Sequence, residues 1–120
     1  MTTPRDPQEL LPLTPVTFHV LVALADGDRH GYAIIQDVSA HTSGTVDIAT
    51  GTLYGLIKRL LADGLVVESR RRPAADKDDA RRRYYRLTDF GKAVLAAETA
   101  RLEAMLRSAR SVRALRKSPA

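Results

Sequence analysis

Residues 51–66, GTLYGLIKRLLADGLV, place leucine or isoleucine at 53, 56, 57, 60 and 61 and then stop on a glycine. Spacings of one, three and four put those five side chains on one buried stripe of a helix. Gly64 is the expected left-handed stop, with Leu65 turning back toward the core. The chain continues as VVESR, a basic and polar stretch through PAADKDDA, and RRYYRL. The two flanking runs predict strands at roughly 66–71 and 82–87, joined by a long charged tip. Helix, strand, charged tip, strand is the second half of a winged helix-turn-helix.

The first half is legible upstream. Thr14 is an expected cap and Pro15 suits the first helical position. Val16, Val20, Leu21 and Leu24 follow at helical spacing, and Asp26-Gly27-Asp28 ends the run. A second helix is expected from Gly31 to about His41, with Ala33, Ile34 and Val38 inward and Thr42-Ser43-Gly44 as its stop. Val46-Asp47-Ile48 alternates and is expected as a minimal strand against the wing. Thr50 or Thr52 is the expected cap of the third helix. The fold class is therefore mainly α with a small β-hairpin: a loose arm at 1–13, a winged head at 14–87, a long helix at 88–116 and a tail at 117–120.

Charge is distributed unevenly along this frame. Residues 1–69 hold four basic and eight acidic side chains, residues 70–86 eight and three, and residues 87–120 seven and three. The excess of +5 thus sits in the wing and the last helix, which is the footprint of a polyanion partner. In this fold class the third helix fits a DNA major groove and the wing lies on the neighbouring backbone.

Opposite the buried stripe, Gly51, Tyr54, Gly55, Lys58 and Ala62 share an exposed face. Tyr54 is expected to meet phosphate or a base edge and Lys58 to meet phosphate, with Arg59 beside them. Thr50 and Thr52 stand where the helix dipole favours an anion. Tyr32 opens the second helix, where backbone N–H groups are also unpaired. On the wing the candidates are Arg70, Arg71, Arg72, Arg81, Arg82 and Arg83. Strand residues alternate faces, so about half of these are expected to reach DNA. By the same rule one of Tyr84 and Tyr85 is expected in the core and the other outside.

Thr88 caps the last helix, which is expected to run from Asp89 to about Leu115. Leu95, Leu102, Met105, Ala109 and Val112 recur at spacings of seven, three, four and three, a heptad seam that Val94 and Leu106 widen. Such a helix is about 40 Å long at ~1.5 Å per residue and is not stable alone. Pairing with a second copy through this seam, with Val16 and Val20 of the first helix, is the expected solution. An intramolecular return against the first helix is the alternative.

Three blocks now carry a resemblance: HGYAII at 30–35, the 51–66 block and RRYYRLTDFGKAVL at 82–95. Together with their spacing they make residues 14–115 resemble the PadR family of transcriptional regulators. The resemblance implies a winged DNA-binding head, a C-terminal dimerisation helix, and a repressor that leaves double-stranded DNA when a small-molecule effector binds. The single C-terminal helix matches the short subgroup. Ala49-Thr50 and Gly55 stand where many members have Ser-Pro and a proline. Some members hold flat drugs between paired tryptophans, and this chain has no tryptophan.

Other chemistries find little support. There is no cysteine, so disulfides and thiolate metal sites are excluded, which fits a cytoplasmic protein. Neither a membrane span nor a signal peptide is expected. His19, His30 and His41 follow no metal-ligand spacing, and Asp76, Asp78 and Asp79 lack the glycine and distal glutamate of a calcium loop. No cofactor and no catalytic constellation is expected. The rival functional class is a dimeric ligand-binding or protein-interaction module on the same fold. RNA binding is a weaker third, because the exposed face offers few aromatics for stacking.

Overall fold

In the computed structural model, the described residues are 5–70 and 82–116. They form five helices and a three-stranded antiparallel sheet: α1 Pro15–Ala25, β1 Arg29–His30, α2 Gly31–His41, α3 Thr50–Ala62, β2 Val66–Ser69, β3 Tyr84–Leu87, α4 Asp89–Ser111 and α5 Arg113–Arg116. The strand order is β1-β3-β2.

Local chemistry explains most boundaries. The Thr14 hydroxyl accepts from the Thr17 N–H at 3.2 Å, and Pro15 follows it at the first turn. α1 then supplies Val20, Leu21 and Leu24 to the centre of the core. α2 is capped by a residue type outside the usual set: His30 Nδ1 accepts from the Ala33 N–H at 3.2 Å. α3 ends in a Schellman motif. Gly64 sits at φ +76, its N–H reaches the Leu61 carbonyl at 3.2 Å, and the Leu65 N–H reaches the Leu60 carbonyl at 3.0 Å. Leu53, Leu56, Ile57 and Leu60 are buried as expected, with Ile34, Val38 and Leu65 packed in the same cluster.

The joint between α3 and α4 links two sequence blocks that are distant along the chain. The Thr88 N–H donates to the Leu65 carbonyl at 3.1 Å, and its hydroxyl donates to the Gly64 carbonyl at 2.6 Å. That hydroxyl also accepts from the Gly91 N–H at 2.9 Å, capping α4. Gly91 presses on the Leu65 backbone so closely that a β-carbon there would overlap the carbonyl oxygen. The glycine is required by a close approach of two backbones.

Several expectations are corrected. Val46–Ile48 forms no strand; Ile48 is a buried loop residue, and β3 pairs instead with Arg29–His30, in the register Arg29 to Tyr85 and His30 to Tyr84. The strands of the wing are shorter than expected, Val66–Ser69 and Tyr84–Leu87. Tyr84 and Tyr85 are both buried, because β3 is the central strand. Tyr85 joins the core, while Tyr84 on the other face is covered by flanking residues, among them the edge-on ring of His30 with centroids 5.3 Å apart. The N-cap of α3 is Ala49, with no side-chain hydrogen bond, so neither Thr50 nor Thr52 caps it. Leu61 is 38% exposed, at the edge of the apolar stripe. α4 stops at Ser111, Val112 is extended at ψ 127, and α5 follows, so the last helix is broken.

The N-terminal segment, expected to be loose, is packed from Arg5 onward. Pro7–Leu10 forms a 3-10 turn against α4, and Leu10, Leu11 and Leu13 pack on the core. The Leu13 N–H donates to Glu98 Oε2 at 2.8 Å. The Arg5 guanidinium donates to the Asp63 carbonyl and lies 4.5 Å from the Phe90 ring centroid. Glu98 itself is only 1% exposed and is paired with Arg101. That pairing and the Leu13 N–H hold its carboxyl below the usual range against the opposing effect of burial.

Candidate nucleic-acid interface

α3 presents Thr50, Gly51, Thr52, Tyr54, Gly55 and Lys58 to solvent while its opposite face fills the core. Tyr54 is 48% exposed. Its phenol crosses to the start of α2, where Gly31 leaves room for it. Tyr32, the next residue, is 60% exposed. The first turn of α2 and the outer face of α3 therefore form one continuous surface.

The base of the wing adjoins it. Arg82 Nη1 lies 3.3 Å from His30 Nε2, and His30 caps α2 through its other ring nitrogen. A chain of contacts thus runs from Arg82 through His30 and Gly31 to Tyr54. Arg70, Arg82 and Arg83 are exposed. Arg83 lies 4.0 Å from Glu68 across the strand pair, an exposed pairing of little energetic weight. Arg71, Arg72 and Arg81, and the aspartates at 76, 78 and 79, lie outside the described residues. Burial pushes the Tyr85 phenol up, Glu68 and Tyr54 push it further, and Arg83 opposes them.

Arg59 is placed differently from its neighbours. It is exposed, but it lines a recess of about 200 Å³ with Leu10, Pro12, Thr14, Thr17 and Asp63. It therefore turns toward the N-terminal segment, roughly 100° around the helix from Lys58.

The expected pairing surface is divided as well. Val20 is fully enclosed in the head and offers no surface to a second copy, and Val94 is enclosed beside it. Val16 and Leu95 are half-buried against the same core. Leu102, Met105, Leu106, Ala109 and Val112 are exposed, and so is Leu115 on α5.

Sequence reasoning missed the His30 cap, the space at Gly31, the 2.9 Å Arg29–Asp37 ion pair beside β1, and the buried Glu98. A histidine directly before an apolar helical run was the visible trace of the cap. Glu98 reads on sequence as a solvated charge, since its backbone partner is 85 residues away. Among the described residues, no cluster of three or more metal-ligating side chains occurs and no helix is long and apolar enough to cross a membrane.

Three helices, a two-stranded wing and a third short strand closing the sheet define a winged helix-turn-helix protein. Comparison places it more narrowly. Residues 20–97 match the model of the transcriptional regulator PadR-like family, and the chain belongs to that family. It is 37% identical over 92 residues to the transcriptional regulator Rv3488 of Mycobacterium tuberculosis, covering 77% of this chain and 79% of that one. A PadR family transcription regulator from Clostridium difficile R20291 has the same fold, with a TM-score of 0.65 at 20% identity over 82% of this chain and 96% of that one. Bordetella bronchiseptica BpsR, described for the regulation of its DNA binding by 6-hydroxynicotinic acid, superposes with a TM-score of 0.62 at 27% identity over 85% of this chain and 66% of that one. The chain is a DNA-binding transcriptional regulator and not an enzyme.

Proposed function

We propose that two copies of this chain form a repressor that holds an inverted-repeat operator and releases it when a small molecule binds. The observation that carries the DNA-binding geometry is the unbroken run of contacts Arg82–His30–Gly31–Tyr54, which joins wing, α2 and α3 into one surface. Tyr54 and Lys58 contact the operator, with Thr50, Thr52, Gly55 and Tyr32 lining the groove edge. About half of the wing arginines, from among Arg70, Arg71, Arg72, Arg81, Arg82 and Arg83, add affinity that is independent of sequence by displacing counterions.

The bare stripe Leu102, Met105, Leu106, Ala109 and Val112 is the surface on which the copies pair. Two α3 helices then enter major grooves about 34 Å apart. Arg59 is the weakest of the expected contacts, since it faces the N-terminal segment. An effector acts where the tails meet the heads. A groove of about 360 Å³ beside Leu102, between α1 and α4, supports this reading, as does the regulation of BpsR by a small acid. The effector needs only to favour the geometry that does not fit DNA.

Selection of bound duplexes from a random pool tests the reading. The expected product is a palindromic consensus, bound with a log–log salt slope near −5 if about six phosphates are neutralised. Recovery of no duplex, together with tight binding of a small molecule, would assign the fold to a ligand-binding module instead.

A further inference from the structure

We propose that Gly31 is a positioning residue for DNA binding: its missing side chain is the seat that holds the Tyr54 phenol between α2 and α3. This rests on the reading of α3 as the DNA-contacting helix.

A β-carbon built at residue 31 would stand 2.6 Å from the Tyr54 hydroxyl oxygen, 2.8 Å from Cζ and 3.2 Å from Cε1. The first two separations are below what packed atoms tolerate, so the ring could not stay where it is. By contrast, Gly51 and Gly55, on the same face as Tyr54, have nothing within 4 Å of such a carbon. The space at Gly31 is therefore specific to the phenol. Nor is Gly31 needed for its own backbone: it occupies the first turn of α2 and is absent from the residues with positive φ.

These facts separate two roles that a glycine usually combines. An alanine at 31 is compatible with the helix and lowers the entropy of the unfolded chain. The atoms it displaces are the far end of a half-exposed side chain, which can swing into solvent while the core below it stays closed. The substitution thus moves a surface phenol and leaves the fold alone. The displaced ring no longer presents its hydroxyl at the junction of α2 and α3, where both helices face the same groove wall. A neutral phenol displaces no counterions, so its loss lowers affinity without altering the salt dependence.

The experiment uses the full chain and a mixed-sequence duplex about three helical turns long, titrated by mobility shift at several salt concentrations, with thermal unfolding in parallel. Gly31→Ala is expected to weaken binding about tenfold, with an unchanged salt slope and a Tm no lower than that of the parent. Tyr54→Ala is expected to weaken binding to a similar degree, and adding Gly31→Ala to it should cost nothing more, the signature of one residue acting through another. Parent-like binding by Gly31→Ala overturns the proposal, and so do losses that simply add in the double variant. If Gly31→Ala unfolds and the double variant folds, the seat is a packing contact only, which also overturns it. A parent chain that binds no duplex removes the DNA-binding reading itself, a result distinct from all of these.

Discussion

The two halves of α4 stand in opposite environments. From Asp89 to Glu98 the helix is part of the head: Gly91 abuts the Leu65 backbone, Val94 is enclosed, and Glu98 pins the N-terminal segment. From Leu102 onward the apolar stripe lies open, and at Val112 the helix breaks. The difference teaches that a heptad pattern does not say what covers it. The expected seam began at Leu95, yet its first turns, Val94 and Leu95, are taken up by α1 and the head core. The intramolecular return and the bare stripe both exist, on successive turns of one helix.

The sharpest way to break this comparison is at the head end. Gly91→Ala forces a side chain into the Leu65 carbonyl, where backbone must move, and is expected to cost about 3 kcal/mol in a denaturant titration. A cost below about 0.5 kcal/mol would show the joint to be yielding. At the open end, Leu102→Glu is expected to leave the head folded by circular dichroism while lowering the sedimenting mass to that of one chain. An undiminished dimer places the pairing surface elsewhere.

Glu98→Gln probes the boundary between the halves. Losing the charge-assisted bonds to Arg101 and Leu13 is expected to cost about 2 kcal/mol at neutral pH. The sign with pH follows from the lowered folded-state value: the carboxylate's contribution is complete above the ordinary glutamate pKa of about 4.3 and is lost as pH falls through the folded value. Parent and variant should therefore converge in acid; a gap that stays constant down to pH 3 contradicts the ionised pair. The smallest effect belongs to the proposed DNA face. Lys58→Ala is expected to weaken every duplex alike and to flatten the salt slope by about one unit. A change confined to base preference would falsify its assignment to phosphate.

What the sequence disclosed and what it hid divide along the same physical line. α2 has the expected bounds, and α1, Gly64 and Thr88 do what local turn and cap chemistry dictates, because those signals act over a few residues. The exposed face of α3 was legible from its period. β1 was not, because two residues carry no period and their pairing is decided by the open edge of β3. The twin burial of Tyr84 and Tyr85 depends on the strand's central place in the sheet, and the docking of residues 5–13 depends on Glu98 far down the chain. The seat at Gly31 belongs to this second kind, visible only once α2 and α3 lie side by side.

The clasp made by Thr88, Gly64, Leu65 and Gly91 has a mechanical consequence. It ties α3 and α4 together at a single bend. At ~1.5 Å per residue α4 is about 34 Å long, so in the proposed dimer a tilt of about five degrees about its far end would displace its head end by roughly 3 Å. In the proposed dimer the separation of the two heads would then depend on how the tails cross, and exchanging residues on the far half of α4 would retune it while leaving α3 unchanged.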